Sequence, residues 1–139
     1  MASNIRRVQT HYLRSSAKHW SPGNIVTVDT ETRWTPVPGG RSHTLRCWAV
    51  CHAVRVGPGR PARPPTASVG PSVTGCLAAI LAATVGHKTT WIYAHNLAFD
   101  ARILNITDEL KARGWKLTGM AITEGPVWFK FRNGSKRIT

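Results

Sequence analysis

The chain has 139 residues, of which 42% are hydrophobic and 18% charged, enough for one globular unit that buries a real core. Nineteen Lys and Arg against six Asp and Glu leave a formal net charge of +13, so the expected partner is a polyanion, nucleic acid before acidic membrane. No apolar run approaches the roughly 20 residues that span a bilayer, no signal-peptide stretch follows Arg6-Arg7, and three cysteines argue against a disulfide framework. A cytoplasmic protein working with nucleic acid and without a membrane is therefore expected.

Residues 1–23 are basic and polar, with Tyr12 and Trp20 interleaved, and are expected to form an arm. Residues 24–139 are expected to form the domain proper. The β-branched run Ile25-Val26-Thr27-Val28 predicts a buried strand over 24–32 that carries Asp29 and Glu31 at its carboxyl end. Residues 36–44, rich in Pro and Gly, read as a turn, and 45–55 as a second strand able to pair antiparallel with the first. Cys47, Cys51 and His52, preceded by His43, raise the question of zinc, but they lack paired C-x-x-C knuckles. The strand reading places Cys47, Ala49, Cys51 and Ala53 on one face instead.

Between residues 56 and 72 the composition turns to Pro, Gly and Arg, which predicts a solvated loop without regular structure whose arginines are candidate phosphate contacts. A helix is expected over 73–84, rich in Ala and closed by Gly86. Thr89 to Ala94 predicts a strand that runs into a helix over 97–113, where Phe99, Ile103, Ile106 and Leu110 recur at helical spacing before Gly114. Residues 115–139 alternate like strands, with Asn133-Gly134 as a hairpin signal; Trp91 and Trp128, lying in strands, are expected in the core.

Side chains two apart on a strand point the same way, so Asp29 and Glu31 are expected to share one small volume. Asp100 would join them from the first turn of the helix beyond the carboxyl end of a neighbouring strand, where open α/β sheets collect ligands. Three acids so placed could hold Mg²⁺ or Mn²⁺, and two such ions can activate water and stabilise a leaving oxygen in phosphodiester hydrolysis. A plainer assignment lets Asp29 end its strand while Asn96 and Asp100 cap and charge-complement the helix. Tyr93, Asn96 and Phe99 offer a stacking ring, an amide and an apolar wedge to a single-stranded end, and His95 shares the strand face of Tyr93.

Asp29-Thr30-Glu31-Thr32 and Tyr93-Ala94-His95-Asn96-Leu97-Ala98-Phe99-Asp100 resemble the first and second motifs of DEDD-type 3′–5′ exonucleases. With Gly114 to Leu117 and the hairpin over 127–139, the second motif is most similar to the N-terminal proofreading domain of protein-primed family B DNA polymerases of phages and linear plasmids. The resemblance implies a ribonuclease-H-like α/β fold, a mixed sheet with flanking helices. It implies that Asp29, Glu31 and Asp100 are catalytic and bind two Mg²⁺ or Mn²⁺ ions, and that Thr32, Tyr93, His95, Asn96 and Phe99 line a single-stranded DNA path.

The family also uses a fourth acid in a later motif, whereas here the only acid after Glu109 is Glu124, outside that context. The expectation is thus an exonuclease-like domain incomplete at the C-terminus. It would bind single-stranded DNA ends and hydrolyse them if a polymerase or another chain completed the site. The alternative is a non-catalytic, basic nucleic-acid-binding or assembly protein that retains the fold.

Overall fold

In a computed structural model, residues 23–55, 64–122 and 127–139 are described. The expected arm over 1–23 lies outside the described residues except for Gly23, as does the 56–63 part of the Pro/Gly/Arg loop. The described residues form one mixed α/β unit. Seven strands lie in the order β3-β2-β1-β4-β7-β6-β5, with three helices.

The β-branched run at 25–28 starts β1 (Asn24–Val37), which pairs antiparallel with β2 (Gly40–Val54). The two strands are much longer than expected. The turn predicted over 36–44 shrinks to Pro38-Gly39, because Gly39 adopts the left-handed φ of 81° that closes a tight hairpin and the residues on either side continue the ladder. A second correction concerns the loop predicted over 56–72. Thr66–Gly70 is a strand, β3, paired antiparallel with β2 so that Trp48 lies opposite Gly70. The small side chains there allow close approach: a Cβ on Gly70 would fall 2.7 Å from the Trp48 ring.

Helix α1 (Val73–Ala82) begins where expected, its amide donors met by the Ser72 side chain, which accepts from the Gly75 N–H at 3.2 Å. It leads to β4 (Thr89–Ala94), which pairs parallel with β1 from Ile25↔Trp91 to Val28↔Ala94. The single helix expected over 97–113 is two, α2 (Leu97–Ile103) and α3 (Ile106–Ala112), because Asn105 sits at φ 46°, outside the helical region. The chain ends in antiparallel strands β5 (Lys116–Ala121), β6 (Trp128–Asn133) and β7 (Lys136–Ile138), with the Asn133-Gly134 turn as expected.

Alternation along the strands sorts the two faces. Val26, Val28, Trp48, Val50, Phe131 and Ile138 point into a core completed by Leu77 and Ile80 of α1 and by Leu104, Ile106 and Leu110 from the second helical segment. Each fully buried aliphatic side chain there contributes about 1.5–3 kcal/mol. Thr27, Asp29, Glu31, Cys47, Ala49, Val69 and Tyr93 face the opposite way and are exposed. The helices therefore cover one face of the sheet, and among the described residues the other face is open. β4 meets the short β7 only at Thr89↔Arg137 and Thr90↔Ile138, with the last bond from the Ile92 N–H to the Thr139 carbonyl at 2.8 Å. Beyond that point β4 and β6 part, leaving a cleft of about 450 Å³.

Candidate nucleic-acid interface

The register β1–β4 brings the two sequence motifs to the same end of neighbouring parallel strands. Thr27, Asp29, Tyr93 and His95 line one shallow depression, and Asp29 and Glu31 line a second with Cys47, Ala49 and Val69. The expected pairing of Asp29 with Glu31 is thus present, on the open face.

Asp100 does not join them. It is 4% exposed, under the helices, where it accepts a hydrogen bond from the Thr30 hydroxyl at 2.5 Å. Thr30 lies between Asp29 and Glu31 in an extended strand, so its side chain points to the opposite side of the sheet from theirs. Among the described residues no group of three or more His, Cys, Asp and Glu side chains is placed to hold a metal ion. The three carboxylates expected to meet are thus not brought together among the described residues: Asp100 is buried against Thr30, whereas Asp29 and Glu31 are exposed on the other side of β1. Asp100 acts locally instead, its charge adding to burial in pushing the Cys76 thiol up to about 12.

The other expected site residues divide in two. The Asn96 side chain accepts from the Phe99 N–H at 3.2 Å and caps α2, which is the plainer assignment made for it. Thr32 and Phe99 converge on His43 of β2. The Thr32 hydroxyl lies 3.1 Å from Nδ1 of His43, and the Phe99 ring stands at 89° to the imidazole with centroids 5.6 Å apart. Tyr93, His95 and Asn96, by contrast, line the cleft between β4 and β6 together with Trp91 and Trp128. Tyr93 is 47% exposed and Trp128 39%, so Trp128 belongs to the surface and not to the core as expected, its ring lying over Gly119 and carrying Lys130 Nζ 5.0 Å from its centroid. Trp91 is half-buried.

Lys130 leads to a feature that sequence reading missed. Lys116 of β5 lies opposite Arg132 of β6, and Arg132 lies opposite Arg137 of β7. Directly paired residues share a face, and all three are exposed on the side opposite Phe131 and Ile138. Like charges directly opposite one another destabilise a sheet. No acid occurs in β5, β6 or β7 to offset them, and neither ion pair among the described residues, Lys111–Asp108 or Arg113–Glu109, involves them. The alternation Trp128-x-Lys130-x-Arg132 was the available signal for this basic strand face; which cations lie side by side depends on register. Comparison of the chain with protein-family models, with curated proteins and with solved structures finds no match in any of the three.

Proposed function

We propose that this chain is a single-stranded-DNA-binding domain that keeps a ribonuclease-H-like, exonuclease-type arrangement of its two motifs but holds the strand without a divalent ion. The observation that carries this reading is the row Lys116–Arg132–Arg137, three cations on neighbouring strands, each paired with the next, exposed on one sheet face where a phosphate backbone would offset the cost of pairing like charges. Along β6 the same face continues through Lys130 and Trp128 to the cleft lined by Tyr93 and His95, so cations for phosphates lead to rings for bases. The net charge of +13 favours association with any polyanion, and the aromatic cleft favours unstacked bases over a closed duplex.

The test is equilibrium binding of a fluorescent oligothymidylate, read by anisotropy. Arg132→Ala is expected to weaken binding and flatten its salt dependence. Tyr93→Ala is expected to weaken binding by about 1–3 kcal/mol at constant salt slope. Chelator should change neither. Binding that ignores both substitutions would refute the proposal.

A second reading, 3′–5′ hydrolysis with Mg²⁺ or Mn²⁺ in a site completed by a polymerase or another chain, is favoured by one observation: Asp29 and Glu31 line one depression over β1, β2 and β3. It would require Asp100 to leave Thr30 and change faces. Shortening of a 5′-labelled oligothymidylate in Mn²⁺ that Asp29→Ala abolishes would establish it.

A further inference from the structure

Past the bulge between Glu31 and Thr32, β1 and β2 continue as a two-stranded ribbon of six cross-strand pairs, from Thr32↔Leu45 to Val37↔Gly40. Thr32 and Leu45 are half-buried at its base, and every residue from Arg33 to Thr44 is exposed. Among the described residues no core lies beneath it, and a two-stranded ribbon is marginally stable on its own, so packing among these residues does not account for its length.

Its chemistry is one-sided. Between Thr32 and Arg46 there is no acid, while Arg33, Arg41 and Arg46 supply three guanidinium groups. Arg41 lies over the ring of Trp34, 4.4 Å from its centroid, which holds the guanidinium in a defined place, and Trp34 is itself 53% exposed. At the base, His43 is fixed by the Thr32 hydroxyl and the Phe99 edge, so the ribbon is braced against α2.

We propose that this ribbon docks in the major groove of duplex DNA, so that the protein engages a duplex beside the strand held on its open face. The proposal rests on the nucleic-acid-binding reading above and adds a duplex partner to it. The dimensions agree. Six residues per strand span about 20 Å, and two strands about 4.8 Å apart with their side chains fit a groove about 12 Å wide. The arginines then meet phosphates and the acceptor atoms of guanine, for which their forked donors are suited. The deep, narrow major groove of A-form RNA would exclude the same ribbon. Because β1 and β4 run parallel, the ribbon springs from the end of the sheet at which Tyr93 and His95 line the cleft, which places duplex and single strand next to one another.

Three anisotropy probes decide it: an oligothymidylate, the same oligothymidylate extending from a DNA duplex, and the same tail on an RNA duplex. The full chain should bind the tailed DNA duplex at least about tenfold more tightly than the other two. The triple variant Arg33→Ala, Trp34→Ala, Arg41→Ala, and separately the single charge reversal Arg41→Glu, should erase that preference and leave oligothymidylate affinity within about twofold, which also shows that the domain still folds. Equal affinity for all three probes, an undiminished preference in both variants, or equal affinity for the DNA and RNA duplexes would each overturn the ribbon proposal while leaving single-strand binding in place. Failure to bind oligothymidylate, with tight and ribbon-dependent binding of the DNA duplex, would overturn the single-strand reading and support the ribbon. Failure to bind any probe would overturn both.

Discussion

At the residue scale, one half-buried histidine helps tie four elements together. Nε2 of His52 donates to the Asn24 Oδ1 at 2.6 Å, and the Asn24 amide donates in turn to the Ala83 carbonyl and the Thr90 hydroxyl, tying β1, β2, β4 and the end of α1 together. Burial, and secondarily the neighbouring His87, lower the pKa of His52. The folded state therefore binds a proton less readily than the unfolded chain, whose histidines keep a pKa of about 6.5. Stability contributed this way is present above about pH 6.5 and is lost as the pH falls from there through the lowered folded value. Urea midpoints should fall between pH 7 and 5, and less so in His52→Gln; an identical fall in the variant would assign the effect elsewhere. Gly70 carries a different constraint. A methyl group there meets a Trp48 ring that is buried and held by its indole N–H to the Ser72 carbonyl at 2.7 Å. Gly70→Ala is expected to cost about 1–3 kcal/mol, readable as a drop in thermal midpoint, whereas a neutral outcome would mean that β3 does not sit against Trp48.

At the scale of elements, the break between α2 and α3 turns on Asn105. Its left-handed φ of 46° suits Asn or Gly, and its side chain makes no capping bond. Asn105→Gly should be neutral or stabilising, Asn105→Val destabilising by about 1–2 kcal/mol, and denaturant unfolding distinguishes them. Such a break was hard to read beforehand because Ile103, Ile106 and Leu110 keep helical spacing across it. By contrast, β4 and the start of α1 were legible because β-branched and aromatic residues, and a run of Ala and Leu, carry local preferences that tertiary packing did not override. β3 was illegible for the opposite reason: Thr66-Ala67-Ser68-Val69-Gly70 has little preference of its own and becomes a strand through its pairing with β2. The site divides along the same line. That Asp29 and Glu31 share a face follows from the period of a strand, but the side of the sheet from which Asp100 arrives depends on how α2 packs, decided by the bond to Thr30.

At the scale of the molecule, one face of the sheet carries the helices and the core, and the other carries cations, exposed rings and two acids. No helix among the described residues is long and apolar enough to cross a membrane. If the open face binds a strand as proposed, the logarithm of affinity should fall linearly with the logarithm of salt concentration, and Lys116→Ala, Arg132→Ala and Arg137→Ala should each reduce the slope by about 0.7. A slope unchanged by all three would place the phosphates elsewhere on the surface. Asp29 and Glu31 stand on one side of β1 and Asp100, bonded to Thr30, on the other, and the DNA strand is proposed to be held without a divalent ion. Titration of the protein with Mn²⁺, following the free ion by electron paramagnetic resonance, reads this separation. Acids separated in this way should give no saturable site and no difference between the native chain and its Asp29→Asn or Asp100→Asn variants. Saturable binding abolished by both substitutions would contradict the separation, because a shared ion would place positions 29 and 100 in one pocket.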